Sequence, residues 1–188
     1  MRMDPLEGLK RSLEASQVIR YGDYDYFIHP ISDGIPALEP KLLGDVAAAI
    51  ADMVDPHFDK ILTVEAMGIP IGTALSLKLG KPLTIVRKKR YGLEGEIKIA
   101  FRTGYSSNVL HVNGIRKGDR ILFIDDVLST GGTIRSVVTA LRQAGGELCD
   151  CVVIIEKGRN RQKLEKELGI KIRSLVKVDI KSGKVVAR

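Results

Sequence analysis

The chain has 188 residues, of which 44% are hydrophobic and 28% are charged, the balance of a globular protein with one sizeable core. No apolar run is long enough to cross a bilayer and residues 1–10 lack the apolar segment of a secretory signal, so we predict a cytoplasmic protein without a transmembrane helix. The net charge of +7 fits a nucleic-acid binder or an enzyme for polyanionic small molecules, and the absence of Trp with only five Tyr and four Phe favours the second.

The N-terminal part of the chain predicts two helices separated by short strands and turns. Asp4 can cap a helix that has Pro5 at its first position and leucines at helical spacing behind it. Residues 20–39 place glycines and prolines among aromatic and β-branched side chains, which indicates short strands and turns. A second helix is predicted over residues 40–53. We interpret residues 1–58 as a small cap with its helices over one edge of the remaining chain.

From residue 60 onward, short apolar runs alternate with helical patterns. The apolar runs predict strands at residues 61–64, 83–86, 109–112, 121–124, 152–155 and 172–178, with a weaker signal at 97–101. The helical patterns cover residues 69–79, 134–144 and 161–168. This alternation indicates an α/β fold, a parallel twisted sheet with helices on both faces. We predict one domain, residues 1–188, with its α/β core at residues 59–179 and its ligand site beyond the carboxyl ends of the strands.

The cysteine and histidine residues predict neither a metal site nor a disulfide. Cys149 and Cys151 are separated by one residue of a strand, so we expect both side chains on one face, packed in the core. We expect His29, His57 and His111 to be structural or surface residues rather than catalysts.

The strongest functional signal spans residues 121–133. Four apolar residues predict a buried strand, two carboxylates follow it, and a loop of hydroxyl residues and glycines leads into a helix. Unpaired N–H groups at a helix N-terminus bind anions, and glycines let the backbone approach an anion closely. Adjacent carboxylates suit the 2′ and 3′ hydroxyls of a ribose. The residues predicted to bind a 5-phosphorylated sugar are Asp125, Asp126, Val127, Leu128, Ser129, Thr130, Gly131, Gly132 and Thr133.

This segment resembles the 13-residue signature of type I phosphoribosyltransferases at every diagnostic position. The resemblance implies that Asp125 and Asp126, the predicted catalytic pair, contact the ribose hydroxyls of phosphoribosyl pyrophosphate and that the following loop binds its 5-phosphate. The loop lacks the lysine of a Walker P-loop and the spaced glycines of a dinucleotide fingerprint. An acidic pair that only caps a helix is the alternative, and the Ser-Thr-Gly-Gly-Thr run that follows argues against it.

Two further segments are similar to the pyrophosphate-binding parts of purine phosphoribosyltransferases. The first is a strand-to-helix junction of a common kind, Glu65, Ala66, Met67 and Gly68. The second is a cationic run that is otherwise typical of a solvated surface, Arg87, Lys88, Lys89 and Arg90. The resemblance implies that both segments bind pyrophosphate, with Arg87 taking part in catalysis. It also implies that residues 91–108 form a hood that closes over the site.

Lys157 ends the strand after the phosphate-loop helix, which places it at the edge of the predicted site. Its ammonium donates and cannot accept, so it favours the exocyclic oxygen of hypoxanthine or guanine over the amino group of adenine, unless it is merely a surface lysine. The whole chain, including residues 26–34 and 87–92, is most similar to the archaeal hypoxanthine/guanine phosphoribosyltransferase branch. The resemblance implies Mg²⁺, bound mainly through the substrate and water with at most indirect contact to Asp125 or Asp126, and a homodimer.

Three other functions are compatible with parts of the sequence. Transfer to adenine requires the same fold and the same phosphate loop. A transcriptional regulator that binds phosphoribosyl pyrophosphate and DNA would suit the basic charge, but residues 1–39 show no clear helix-turn-helix, and we expect no nucleic-acid partner. A synthetase of phosphoribosyl pyrophosphate would share the loop, but such chains are usually much longer and need an ATP site, for which no residues are evident.

Overall fold

The computed structural model describes residues 5–22, 24–102 and 107–188. Its helices are α1 Pro5–Glu14, α2 Pro30–Asp33, α3 Pro40–Met53, α4 Gly68–Leu79, α5 Gly132–Gln143 and α6 Arg161–Leu168. Its strands are β1 Gln17–Tyr21, β2 Tyr24–Ile28, β3 Lys60–Val64, β4 Leu83–Val86, β5 Ile97–Arg102, β6 Ser107–Val112, β7 Arg120–Leu128, β8 Glu147–Lys157, β9 Arg173–Lys181 and β10 Lys184–Ala187. Helices α3 and α6 have their predicted bounds, whereas β7, β8 and β9 extend beyond their predicted apolar runs.

The main sheet has the strand order β10-β9-β8-β7-β3-β4, so β7 and β8 lie near its centre. Strands β4, β3, β7, β8 and β9 are parallel to one another, and β10 pairs with β9 as an antiparallel edge strand. The predicted α/β fold with a parallel sheet is therefore confirmed. Strand β10 was not predicted; it is short and joined to β9 by a tight turn in which Ser182 and Gly183 both adopt positive φ.

The side chains of β7 show why its sequence is a continuous apolar run. Leu122 and Ile124 pack in one hydrophobic cluster with α1, α3 and α4, whereas Ile121 and Phe123 pack in a second cluster with α5 and α6. All four side chains are fully buried, because helices cover both faces of the sheet as predicted. None of the helices in the described ranges combines the length and apolar character needed to span a bilayer.

Helix α1 packs with the helices of the sheet, and a smaller cap follows it. Leu9 and Leu13 of α1 are buried in the same cluster as α3. The antiparallel hairpin β1–β2 and the single-turn helix α2 form the cap, which confirms the strands and turns predicted for residues 20–39. Helix α2 was not predicted, because a four-residue helix shows no helical period. The predicted N-cap Asp4 lies outside the described residues.

The predicted hood contains an antiparallel hairpin, β5–β6. Its base is joined to the end of β4, where Arg87 and His111 exchange two backbone hydrogen bonds of 2.8 and 2.6 Å. Residues 103–106 of the predicted hood lie outside the described residues. The hood therefore rises directly from the cationic run at Arg87.

The prediction that both cysteines pack in the core was wrong for Cys149. The pairing of β7 with β8 skips this residue, because Ile121 pairs with Leu148 and Leu122 pairs with Asp150. Such a bulge breaks the alternation of side chains, so Cys149 is exposed while Cys151 is buried. Both are free thiols.

Candidate active site

The predicted acidic pair lies at a cavity between the carboxyl ends of β3 and β7. Strand β7 does not end at Ile124 as predicted but continues to Leu128, so Asp125 and Asp126 are strand residues. Asp125 is 5% exposed and Asp126 is half-buried. The cavity has a volume of about 240 Å³. Its lining consists of Ser32, Val64, Glu65, Ala66, Met67, Asp125, Asp126, Val127 and Thr133.

Burial is the main reason why the acidic pair binds protons more readily than ordinary aspartates. Burial, and then the neighbouring charge of Asp126, raise the pKa of Asp125 well above its usual range. Burial also raises the pKa of Asp126, although a hydrogen bond with the Asp125 side chain acts in the opposite direction. The Asp126 N–H donates to Asp125 Oδ1 at 3.2 Å. Hydroxyl donors or a cation in the cavity would favour the ionised pair.

The predicted phosphate loop is a short turn between β7 and α5. Gly131, at φ 80°, is the N-cap of α5, and no side chain of the described residues caps the helix. Its first N–H groups are therefore available to an anion. Thr133 lines the cavity beside the acidic pair. Leu128 is 2% exposed and packs in the core, so any contact between this residue and a ligand has to come from its backbone.

The two predicted pyrophosphate segments are joined by one carboxylate. Glu65 accepts hydrogen bonds from Arg87 Nε and, at 2.7 Å, from the Lys88 N–H. The peptide bond between Glu65 and Ala66 is cis. A Cβ on Gly68 would lie 2.0 Å from Thr63 Oγ1, so only glycine fits where α4 begins against β3. The structure thus brings Glu65 and Arg87 together, as the sequence predicted.

All four cations of the run lie outside the cavity lining, and Arg87 reaches it only through its bond to Glu65. Lys88, Lys89 and Arg90 are exposed, and the cavity lining formed by the described residues includes none of them. Lys89 Nζ lies 5.3 Å from the ring centroid of Tyr91, and Arg90 Nε lies 3.7 Å from Glu96 Oε1 in the hood. Their predicted contact with a substrate therefore stays a prediction.

A second cavity of about 200 Å³ adjoins the first and includes three aromatic side chains in its lining. Its lining consists of Tyr24, Tyr26, Phe27, Ser32, Asp126, Val127, Ser129 and Lys157. The predicted site residue Lys157 lies here, with its Nζ 3.8 Å from the ring centroid of Tyr24 and donating to the Asp25 carbonyl at 2.5 Å. Burial raises the pKa of Tyr24, but hydrogen bonds with Lys157 and Ser129 outweigh it and leave that pKa lowered.

The cap residues of this second cavity were not assigned individually from sequence. Tyr24 and Tyr26 alternate along β2, a pattern that could have indicated a shared face. Tyr26 donates to Asp33 Oδ1 at 2.5 Å, and Asp33 Oδ2 accepts from Ser32 Oγ at 2.7 Å and from the His29 N–H at 3.0 Å. This network fixes the cap over the cavity that contains Lys157.

His29 is a structural residue of the cap, as predicted. It is fully buried, its Nδ1 accepts from the Ile31 N–H at 3.1 Å, and its Nε2 lies 2.9 Å from Ser12 Oγ of α1. Burial lowers the pKa of His29 to about 4, opposed by the charge of Asp33. The neutral imidazole therefore joins α1 to the cap.

A larger cavity of about 360 Å³ lies between α5 and the hood strand β5. Its lining includes Lys98, Arg135 and Gln143, but neither a carboxylate pair nor an aromatic surface among the described residues. The guanidinium of Arg135 donates two hydrogen bonds to the carboxylate of Glu167, at 2.5 and 2.8 Å. We place the candidate site at the two smaller cavities, because the acidic pair, the phosphate loop and Lys157 converge there.

Comparisons with known proteins show the family of the chain. The phosphoribosyl transferase domain family matches residues 38–182. The chain is 51% identical over 181 residues to a hypoxanthine/guanine phosphoribosyltransferase of Methanocaldococcus infernus, covering 96% of this chain and 99% of the relative. It is 52% identical over 175 residues to that of Methanohalobium evestigatum, covering 93% and 92%.

Solved structures of adenine phosphoribosyltransferases share the fold at lower sequence identity. The enzyme of Thermoanaerobacter pseudethanolicus is similar with a TM-score of 0.75 at 24% identity, covering 92% of this chain and 99% of that chain. The enzyme of Rhodothermus marinus has a TM-score of 0.73 at 24% identity, covering 92% and 98%. The chain belongs to the phosphoribosyltransferase family, and within it to the group of the archaeal hypoxanthine/guanine phosphoribosyltransferases.

Proposed function

We propose that the protein transfers the 5-phosphoribosyl group of phosphoribosyl pyrophosphate to hypoxanthine or guanine, forming IMP or GMP and releasing pyrophosphate. The observation that carries this proposal is the buried pair Asp125 and Asp126, which lies between an uncapped helix N-terminus and a cavity of suitable size. The archaeal relatives that carry this activity in their names match almost the full length of the chain.

The sugar phosphate occupies the first cavity in this proposal. The 5-phosphate binds the N–H groups and hydroxyls of residues 129–133, at the N-terminus of α5. The ribose hydroxyls donate to Asp125 and Asp126, which favours the ionised carboxylates over the protonated form. A sugar phosphate thus supplies hydroxyl donors in addition to the backbone N–H that Asp125 already accepts from.

The pyrophosphate binds between residues 65–68 and the cationic run in this proposal. Glu65 orients the guanidinium of Arg87 through Nε, which leaves its terminal nitrogens for the anion. Lys88, Lys89 and Arg90 contribute when the hood moves over the substrate. The proposal thus explains why an acidic residue, Glu65, lies beside a site for a polyanion: it positions Arg87.

The residues of the first cavity fit a bound Mg²⁺. Glu65, Asp125 and Asp126 line it, and its lining by described residues contains no lysine or arginine, although the proposed ligand is polyanionic. No group of three or more acidic, histidine or cysteine ligands within the described residues is close enough to form a protein cage. Mg²⁺ commonly keeps several waters and binds through substrate oxygens with few protein ligands. When bound, it would neutralise the leaving pyrophosphate, with Asp125 and Asp126 in at most indirect contact.

The second cavity receives the purine base in this proposal. Tyr24 and Phe27 offer flat apolar surfaces, and Lys157 offers donors to the exocyclic oxygen of a 6-oxopurine. The Asp25 carbonyl and the Tyr24 side chain engage two donors of the ammonium, which leaves one for a ligand. Adenine presents an amino group at that position, and the lysine ammonium cannot accept a hydrogen bond from it.

Catalysis follows from positioning and fixed charge. The bond between C1 of ribose and pyrophosphate breaks, the electron pair leaves with pyrophosphate, and a purine nitrogen attacks C1 from the opposite face. The imidazole ring of the base releases one proton, which passes to the departing pyrophosphate or to water. Asp125 and Asp126 hold the ribose in line and place negative charge near the developing sugar cation, while Arg87 stabilises the leaving anion. Closure of the hood excludes water, which would otherwise attack C1.

Regulation of transcription is not favoured by the N-terminal structure. A helix-turn-helix needs a second helix directly after the first, whereas α1 is followed by the hairpin β1–β2. A place in purine salvage, a cytoplasmic location and a homodimer remain parts of the proposal.

The base preference is tested by incubating the purified protein with phosphoribosyl pyrophosphate, Mg²⁺ and one of adenine, hypoxanthine, guanine or xanthine, and measuring the nucleotide formed. We expect IMP and GMP, with a kcat/KM for adenine at least about 100-fold lower, because the polar match at Lys157 discriminates strongly. Omission of Mg²⁺ is expected to stop turnover. AMP as the main product would instead support an adenine phosphoribosyltransferase.

A further inference from the structure

Asn160 lies at the N-cap of α6, yet its side chain does not cap that helix. Asparagine is among the preferred N-cap residues, where the side-chain oxygen usually accepts from an N–H of the first turn. Here Asn160 has φ −81° and ψ −14° instead of an extended backbone, and its side chain makes no capping hydrogen bond. Its Nδ2 instead donates to the carbonyl oxygen of Ser129 at 2.9 Å. The amide is thus directed to the phosphate loop, 31 positions earlier in the chain.

The same helix contacts the phosphate loop at a second point. Leu164, one turn further along α6, is 1% exposed. A Cβ on Gly131 would lie 2.6 Å from Leu164 Cδ2, so the loop backbone packs directly against this side chain. Helix α6 therefore supports the loop at Ser129 by a hydrogen bond and at Gly131 by packing.

The hydrogen bond from Asn160 also constrains the direction of a backbone donor of the loop, the Thr130 N–H. The carbonyl of Ser129 and the N–H of Thr130 belong to one planar trans peptide, in which they point in opposite directions. Holding the Ser129 carbonyl toward α6 therefore holds the Thr130 N–H away from α6. Thr130 is one of the residues proposed to bind the 5-phosphate.

We propose that Asn160 is a positioning residue of the phosphate loop, which orients the Thr130 N–H for the 5-phosphate through its bond to the Ser129 carbonyl. This rests on the proposed function, in which that loop binds the 5-phosphate. Asn160 itself touches no substrate. Its loss weakens binding of the sugar phosphate more than binding of the base.

Three variants of the full chain separate this role from a structural one. Asn160→Ala removes the amide. Asn160→Asp keeps a good N-cap residue and adds a favourable charge at the start of α6, but it cannot donate to the Ser129 carbonyl. Gln162→Ala is the matched control, because Gln162 is an exposed amide of the same helix.

The test is calorimetric titration of each protein with ribose 5-phosphate, together with its melting temperature. We expect about a threefold to tenfold weaker affinity for Asn160→Ala, from one lost hydrogen bond, and a larger loss for Asn160→Asp, whose charge repels phosphate. Gln162→Ala should match the wild type, and Asn160→Asp should melt no lower than it. In turnover, KM for phosphoribosyl pyrophosphate should rise while kcat and KM for the base stay within about twofold.

Two results would overturn the proposal. One is wild-type affinity for ribose 5-phosphate in both Asn160 variants. The other is a fall in melting temperature of Asn160→Asp that accompanies the loss of affinity, since the residue would then be structural. A wild-type protein that binds no ribose 5-phosphate would contradict the proposed function itself, and the role of Asn160 would fall with it.

Discussion

Asp125 is held in an environment that favours function over stability. Its pKa is raised in the folded protein, so its contribution to stability is fully present below the unfolded pKa, near 3.8, and is lost as the pH rises through the folded pKa. At neutral pH Asp125 therefore makes the fold less stable than an aspartate with an ordinary pKa would. A buried acidic pair kept under these conditions is typical of a binding site.

Asp125→Asn should stabilise the protein while impairing catalysis. The amide keeps an acceptor for the Asp126 N–H but removes the buried charge. At pH 7.5 we expect the free energy of unfolding to rise by roughly 1 kcal/mol, and the gain to shrink as the pH approaches 4. Denaturant unfolding at both pH values measures this. If Asp125→Asn were less stable than the wild type at pH 7.5, the carboxyl group of Asp125 would not destabilise the fold.

His29 should make stability depend on pH in the opposite way. Its folded pKa, about 4, is below the ordinary value of 6.5, so its neutral form contributes stability above pH 6.5 that is lost as the pH falls toward 4. The loss should reach about 3 kcal/mol at most. Compared with the wild type, His29→Asn, which keeps a capping residue, should show a smaller fall in unfolding free energy between pH 6.5 and pH 4.

The control for this pH dependence is His57, which is 77% exposed in its side chain. His57→Asn should retain the wild-type slope between pH 6.5 and pH 4. Equal slopes in His29→Asn and the wild type would mean that the buried imidazole is not the group responsible.

At the scale of elements, the junction between β3 and α4 is built around Gly68. Thr63 Oγ1 donates to the Ile124 carbonyl of β7 at 2.8 Å, and it occupies the space that a Cβ on Gly68 would need. Gly68→Ala should therefore destabilise the protein by about 3 kcal/mol, through overpacking and a strained buried hydrogen bond. Thermal unfolding measures the change.

Gly44 provides the matched control for this substitution. It is exposed within α3, and a Cβ there would meet nothing within 4 Å. Gly44→Ala should leave the protein as stable or more stable by about 0.5–1 kcal/mol, because alanine has the higher helix propensity. If Gly68→Ala were equally harmless, the close packing at the start of α4 would be refuted.

Elements with a strong period were predictable, and short or irregular ones were not. Helices α3 and α6 carry enough turns for their apolar faces to be recognised, and β7 is apolar on both faces. Helix α2 is a single turn whose N-cap is a histidine, and β10 depends on a two-residue turn and on pairing with β9. The bulge that exposes Cys149 arises from strand pairing, which a single strand's sequence does not encode.

At the scale of the whole molecule, chain order predicted the site but not the individual contacts of its cap. Loops that follow parallel strands meet at one edge of the sheet, so Asp125, Glu65, Arg87 and Lys157 could be assigned to one site from sequence. The contacts of Tyr24 and Ser32 with Asp126 and Lys157 join residues far apart in the sequence and depend on how the hairpin β1–β2 folds back. The role of Asn160 likewise depends on a contact with a residue distant in the sequence, Ser129.

The proposed function depends on Asp125 and Asp126 holding the ribose, and turnover by the double variant Asp125→Asn, Asp126→Asn tests this most directly. We expect IMP formation from phosphoribosyl pyrophosphate and hypoxanthine to fall by at least about 1,000-fold, because the charges that hold the ribose and stabilise its cation are gone. Circular dichroism and the melting temperature should show an intact fold. Undiminished IMP formation by the folded double variant would contradict the assignment of the site.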